Sequence, residues 1–326
     1  MALTTEQLLT YFNLPQLGRV TAFAIGNYAK ENNITLHNDK DILDYIKLCR
    51  EKKLARAIAE YNQDAIVNAH IKAKKVMEQS ANGGIGVISY YDSDFPKQLK
   101  EIKRNNKDVS PLLLYYKGNV KRLLHLNGIA IIGTREPTEE GVKVGEYLGK
   151  TFAEKGFNII SGLAIGCDSS AHRGALQGKG LTTVFLAHGL DTIYPKENIG
   201  LAQQILDNDG ILISEYAIGV PPMANYFVER DRLQSGLANA TVVIQTGIKG
   251  GTMHAVHSTI ENNKPLFAVQ YKDTELCKQE KVLGNMKLLN ENFARPITAS
   301  TINDAIDIIN ESIDRREKFQ NSIFDI

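Results

Sequence analysis

Four short stretches hold the residues best able to bind an anion. Gly133-Thr134-Arg135 sets a glycine, where backbone and ligand can approach closely, beside a hydroxyl and a guanidinium fork. From Ser161 and Gly162 through Gly166 to Asp168 runs a glycine-rich bend entering an amphipathic segment, whose free amide groups would favour phosphate. Glu229-Arg230-Asp231-Arg232 concentrates charge, and Lys249-Gly250-Gly251-Thr252 opens a further helix with small residues beside a cation. A single glycine-rich turn is usually structural. Three of them converging on one sheet edge with Arg and Lys read as a phosphate-binding crevice.

The same residues offer little for catalysis. Asp168 and His172 stand at i, i+4 and could orient an imidazole as a base, yet no nucleophile lies at suitable spacing, so capping and packing are the preferred reading. Ser161 is not in a GxSxG elbow, and Cys167 reads as a small core residue at a helix start that could lower its pKa. His254, His257 and Glu261 share a helical face and could present three metal ligands, but ordinary helix-surface bonding explains them as well. Neither GxGxxG after the first strand nor a Walker A loop is present, which disfavours NAD chemistry and P-loop hydrolysis. No catalytic residue, metal or cofactor is therefore assigned. Tyr115, Tyr116, Tyr226 and Phe227 could stack on bases, although aromatics near strands are mostly core; only Phe227, beside the arginines, stands out.

Positioning these stretches requires an alternating fold. Short apolar runs at 129–133, 157–161, 181–187, 211–214, 241–245 and 265–269 read as buried strands, with helices at 138–155, 168–178 and near 252–262. Strands alternating with helices predict an α/β, Rossmann-like, doubly wound parallel sheet, whose ligands sit beyond the carboxyl ends of the strands. All four anion-binding stretches are expected there. Upstream, Leu8, Leu9, Phe12, Ile42, Leu43, Ile46 and Ile58 give helical periodicity, ended by Ala81-Asn82-Gly83-Gly84. Leu14-Pro15-Gln16-Leu17-Gly18 before an apolar helix has the layout of half a helix-hairpin-helix unit, though an ordinary helix-to-helix turn is the plainer reading. Ile302, Ile306, Ile309 and Ile313 at helical spacing predict one C-terminal helix packed on the core.

The 326 residues suffice for about two domains, and 43% hydrophobic residues for a large core. Net charge is +1, which argues against a bulk polyanion binder. The charge is uneven: residues 1–128 hold 19 basic and 13 acidic side chains, residues 129–270 hold 11 and 14, and the rest 8 and 10. Lys97, Lys100, Lys103, Arg104 and Lys107 form a basic cluster, read as a solvated face that could extend a nucleic-acid track. Cys49, Cys167 and Cys277 form no CxxC pair, and no run approaches a membrane span or a signal peptide. The expectation is a cytoplasmic protein without disulfides.

Six ordered strings, IAIIGTREPTEEG, SGLAIGCDSSAHRGAL, HGLDTIYPKEN, GILISEY, FVERDRLQSGL and GNMKLLNENFARPI, resemble the DNA-processing protein A (DprA/Smf) family. The likeness extends upstream through Tyr91–Pro96 and Leu114–Asn119, so it covers about residues 88–300. It implies single-stranded DNA binding on an extended Rossmann-like domain, a homodimer, loading of a RecA-type recombinase, and no turnover. The implied organisation is a helix-hairpin-helix or SAM-like domain at 1–82, the DNA-binding domain at 83–300 and a helical tail at 301–326. The implied DNA pocket holds Gly133, Thr134, Arg135, Ser161, Gly162, Gly166, Asp168, His172, Arg230 and Arg232, with Phe227 and the Lys249–Thr252 loop beside them.

Two departures bear on the ligand. Where the family carries FPxRNR, this chain has Phe227-Val228-Glu229-Arg230-Asp231-Arg232, so an acid replaces a neutral Asn near the implied phosphates. Either Asp231 pairs with a neighbouring arginine or the ligand differs. Lys249-Gly250-Gly251-Thr252 resembles the GGxGT phosphate loop of related Rossmann-like nucleotide hydrolases and sensors, but Ala255 stands where those hydrolases carry Glu. A nucleotide-binding sensor or hydrolase, such as one in a defence system, is the alternative expectation.

Overall fold

The computed structural model describes residues 3–56 and 58–324, with side chains through 318. Four helices open the chain: α1 (Thr5–Phe12), α2 (Arg19–Glu31), α3 (Asp39–Glu51) and α4 (Gln63–Asn82). Thr4 and Gln7 close a reciprocal capping box on α1, while Asn38 and Asn62 cap α3 and α4 by accepting from Asp41 N and Ala65 N. The turn at 13–18 joins α1 to α2, with Leu14 and Leu17 buried in the core of this unit. Gly84, at φ +66°, lets the chain leave α4.

The remaining elements are β1 (Gly86–Ser89), β2 (Lys103–Arg104), β3 (Lys107–Asp108), β4 (Leu113–Lys117), β5 (Gly128–Ile132), α5 (Glu139–Glu154), β6 (Asn158–Ser161) and α6 (Cys167–Gln177). They continue as β7 (Thr182–Leu186), α7 (Ile199–Asp207), β8 (Ile211–Ser214), α8 (Ala224–Leu237), β9 (Ala240–Val243), α9 (Met253–Glu261) and β10 (Leu266–Val269). The short α10 (Thr274–Cys277), then α11 (Glu280–Asn290), β11 (Arg295–Ile297) and α12 (Ile302–Phe324) close the chain.

Among the described residues, nine strands form one sheet in the order β1-β4-β8-β7-β6-β5-β9-β10-β11, and β2 and β3 form a separate hairpin. The seven strands from β8 to β11 in that order are all parallel, each of β5, β6, β7, β9 and β10 being buried on both faces with helices crossing between them. Alternation along β5 sends Ile129 and Ile131 into the core under α5 and α12, and Ala130 into the core under α8. The antiparallel extension by β4 and β1 was not foreseen from the sequence. The C-terminal helix packs Ile302, Ile309 and Ile313 on the same core as Ile129, as its spacing predicts.

The chain winds outward from β5 through β6 and β7 to β8, then crosses back to β9 on the other side of β5. This reversal opens a crevice between the carboxyl ends of β5 and β9, the place where such sheets take ligands.

Candidate nucleic-acid interface

A cavity of about 470 Å³ occupies that crevice. Its floor is backbone: Gly133 and Thr134 after β5, Thr246 and Gly247 after β9, and Gly250, Gly251 and Thr252 at the entry to α9. Gly133 is there for space, since a Cβ on it would lie 2.5 Å from Cys167 Sγ and 2.8 Å from the Gln245 carbonyl. Among the described residues the amides of Gly251 and Thr252 donate to no protein acceptor, so two N–H groups remain for a ligand at the start of α9.

Helix α8 forms the opposite wall with Phe227, Val228, Arg230, Asp231 and Gln234. The Glu229–Arg232 stretch, expected beyond a strand end, thus lies in the middle of a helix. The reason is burial on nearly every side. Arg230 and Arg232 are only 4% and 6% exposed, so α8 lacks the apolar stripe that marks a surface helix.

Arg230 reaches under the cavity. Its Nη1 donates to the carbonyls of Gly162, at 2.9 Å, and Phe185, and its Nε to Asp231 Oδ1 at 3.1 Å. Among the described residues its Nη2 has no hydrogen-bond partner. Gly162 must be glycine, because a Cβ would fall 2.1–2.6 Å from this guanidinium. Asp168 accepts from the amides of Gly162 and Ala164 at 3.1 and 3.4 Å and folds the bend back on itself. Burial raises its pKa, with Arg230 and those amides opposing.

Asp231 is paired, which settles the first departure from the family pattern. Besides Arg230, Gln234 Nε2 donates to its Oδ1 at 3.3 Å. Burial, opposed by Arg230 and reinforced by Asp168, pushes the Asp231 carboxyl up to about 6.

Arg135 stands exposed at the rim with its guanidinium 5.1 Å from the centre of the Phe227 ring. A cation over an aromatic face, with its donors free toward the crevice, suits a strand presenting phosphate and base together. The same two residues border an adjoining recess of about 310 Å³ reached by Gly162, Ala164, Ile165, Tyr194 and Pro195.

Of the residues expected from sequence, Gly133, Thr134, Arg135, Asp168, Phe227, Arg230, Gly250, Gly251 and Thr252 therefore line one cavity, and Gly162 its neighbour. Five other expected residues line neither recess. Arg232 faces away and pairs with Glu215 at 2.7 Å, its Nε donating to the Val109 carbonyl at 2.9 Å. His172 is fully buried with Nδ1 2.6 Å from Thr182 Oγ1, and burial, then Arg230 and Arg173, lower its pKa to about 3, so it is a neutral packing residue. Ser161 is also buried and donates to the Ile131 carbonyl at 2.7 Å. Gly166, at φ +91°, abuts the Thr134 and Arg135 carbonyls and supports the rim from behind, while Lys249 is exposed outside the cavity. Cys167 is buried, and burial with Asp168 nearby raises its thiol to about 12, which leaves it unreactive at neutral pH. Tyr115 is buried in β4, remote from the crevice lining. Among the described residues no group of three His, Cys, Asp or Glu side chains could hold a metal ion.

Several supports carried no sequence signal. Gln245, fully buried, accepts from Thr138 N at 2.9 Å and donates to Thr138 Oγ1 at 2.9 Å, fixing the start of α5 against the end of β9. Asn285 on α11 accepts from Thr246 N and donates to the carbonyls of Val243, Ile244 and Val269, and Gly284 N donates to the Thr246 carbonyl. Lys264 Nζ donates to the carbonyls of Ser235, Gly236 and Ala238 and caps α8.

The model of one family, DNA recombination-mediator protein A, matches residues 86–310, which include both walls of the crevice. The chain belongs to that DprA/Smf family. Among DprA relatives, the DNA processing protein of Bacillus subtilis is 33% identical over 198 residues, 61% of this chain and 65% of that protein. The Escherichia coli protein Smf is 34% identical over 159 residues, 49% of this chain and 42% of its own length, so the matches leave a third or more of these relatives unaligned. The crystal structure of DprA from Streptococcus pneumoniae superposes with a TM-score of 0.71 at 26% identity, covering 91% of this chain and 96% of that one. A Helicobacter pylori DprA structure, titled for its single-stranded DNA binding mode, gives 0.57 at 28% identity over 71% and 96%. Among the described residues no helix is long and apolar enough to cross a membrane.

Proposed function

We propose that the crevice binds single-stranded DNA and that the chain is a recombination mediator, working as a homodimer that passes the strand to a RecA-type recombinase. The observation that carries the DNA reading is the glycine backbone floor, with two free amides, facing the Arg135–Phe227 pair across one cavity. Backbone donors and one guanidinium hold phosphate without sequence preference, and the aromatic face accepts any base. The local arrangement reduces the acidic balance of the central segment, because four of its acids are tied up, leaving exposed Glu136 as the remaining acid of the lining, without an ion pair among the described residues. Asp168 holds amides, Asp231 holds Arg230, Glu215 holds Arg232, and Glu229 holds Arg104. The helical unit at 1–82 and the tail at 301–326 flank this DNA-binding part.

Fluorescence anisotropy with a labelled mixed-sequence strand tests the reading. Binding at low salt that weakens as salt is added is expected, with Arg135→Ala losing about tenfold or more, in line with the 1–3 kcal/mol typical of a stacked, charged contact. Arg230→Ala is a poor probe because its side chain is part of the scaffold. No binding by the unaltered chain at low salt would overturn the proposal. Thermal stabilisation by a nucleoside phosphate without any response to DNA would instead favour a nucleotide sensor, which the Gly250–Thr252 loop could serve.

A further inference from the structure

We infer that the bound strand leaves the cavity along the outer face of α9 and is held a second time by Lys103 and Lys107 on the β2–β3 hairpin. This site rests on the DNA reading above and extends it. The path begins inside the cavity, whose lining includes the exposed His254 on the first turn of α9. His257, also exposed, follows one turn on. At the far end Asn262 grips the hairpin as a strand would. Its Oδ1 accepts from Lys103 N at 2.9 Å and its Nδ2 donates to the Lys103 carbonyl at 3.0 Å. From Thr252 to Asn262 the helix rises about 15 Å, room for about four phosphates of a stacked strand at 3.4 Å each.

The hairpin is built to stay in place while showing its cations. Arg19 from α2 donates to the carbonyls of Asp108 and Ser110 at 2.5 and 2.7 Å. Arg104 pairs with Glu229 on α8 at 2.9 Å, one residue from the Arg230 beneath the cavity. With its backbone held from α2, α8 and α9, the hairpin holds Lys103 and Lys107 exposed, and neither has an ion pair among the described residues. Two exposed ammonium groups, one on each face of the hairpin tip, extend positive charge beyond the phosphate cavity. Exposed acids oppose them, the first being Asp108, directly across the hairpin from Lys103. Glu261, exposed at the end of α9, lies four residues from His257 on the same face.

The test measures affinity of the full chain against strand length, using oligothymidylates of about 4 and about 16 nucleotides, a range spanning known single-strand footprints. The double substitution Lys103→Ala, Lys107→Ala is expected to leave the short strand unchanged and to weaken the long one several-fold. The slope of log affinity against log salt should fall by about 1.4 for two lost phosphate contacts. Glu261→Gln should tighten the long strand only. Equal affinities and slopes for the double variant and the unaltered chain at both lengths would overturn the site. A loss equal at both lengths would overturn it too, as the hairpin would then act within the cavity. If the unaltered chain binds neither strand, the underlying DNA reading fails with it, a result distinct from binding that is indifferent to the lysines.

Discussion

Replacing Asp231 by Asn isolates the electrostatic cost of the acid in the crevice. The side chain keeps an oxygen for Arg230 Nε and Gln234 Nε2, now 3.1 and 3.3 Å from Oδ1, so packing is retained while one negative charge goes. A carboxylate about 5 Å from a phosphate repels it by about 3 kcal/mol at an effective dielectric of about 20. The Arg230 guanidinium beside it cancels most of that, leaving about 1 kcal/mol, or about fivefold in affinity. The effect depends on pH. With its pKa raised to about 6, Asp231 is ionised at pH 7.5 and neutral at pH 5, so the advantage of the Asn variant should be present at pH 7.5 and vanish at pH 5. The measured quantity is the ratio of the two proteins' dissociation constants by anisotropy at the two pH values, in which effects common to both cancel. A ratio unchanged between pH 7.5 and pH 5, or a variant that binds more weakly at pH 7.5, would refute the reasoning.

Three further perturbations have defined outcomes. Arg232→Ala leaves half-buried Glu215 without its partner and should cost about 1–3 kcal/mol in urea unfolding, whereas a variant of unchanged stability would show the pair to be ornamental. Gly133→Ala drives a methyl into Cys167 Sγ and the Gln245 carbonyl and should destabilise by about 1–3 kcal/mol while weakening strand binding; Ala with unchanged affinity would contradict the close approach. His172, held near pKa 3 against about 6.5 when unfolded, contributes stability that is whole above pH 6.5 and lost as pH falls from there toward 3. Its imidazole NMR signals should not titrate above about pH 4, and a midpoint near 6 would refute its burial as a neutral group.

Six of the seven parallel strands were legible as short, mostly apolar runs, while β11, with Arg295 and Pro296, was not, and the strand ends pointed to Gly133, Arg135 and Gly250 directly. Helix α8 was not legible. Its buried face carries Arg230, Arg232, Gln234 and Ser235, whose polar groups are satisfied by carbonyls and carboxylates from other elements, so hydrophobic periodicity never appears. From the sequence, Arg232 could pair with Glu215, Glu229 or Asp231 or bind DNA, and with Glu215 17 residues away spacing could not decide between them. β4 was hidden behind its tyrosines, which resemble a stacking platform until the antiparallel pairing with β8 places Tyr115 in the core. Asn285 and Gln245 could not be found at all from spacing, because their work is to satisfy backbone groups of strands distant in sequence.

The stitch from Asn285 to the end of β9 sets an order of completion during synthesis. Strand β9 ends at Val243, but Thr246 N and the carbonyls of Val243, Ile244 and Val269 gain their shared partner only with residue 285. A chain emerging from the ribosome amino end first has Arg135, Arg230 and every glycine of the floor in hand about 34 residues before that floor is tied down. Nascent chains stalled before Asn285 should therefore carry every side chain proposed to contact DNA and still fail to hold a strand.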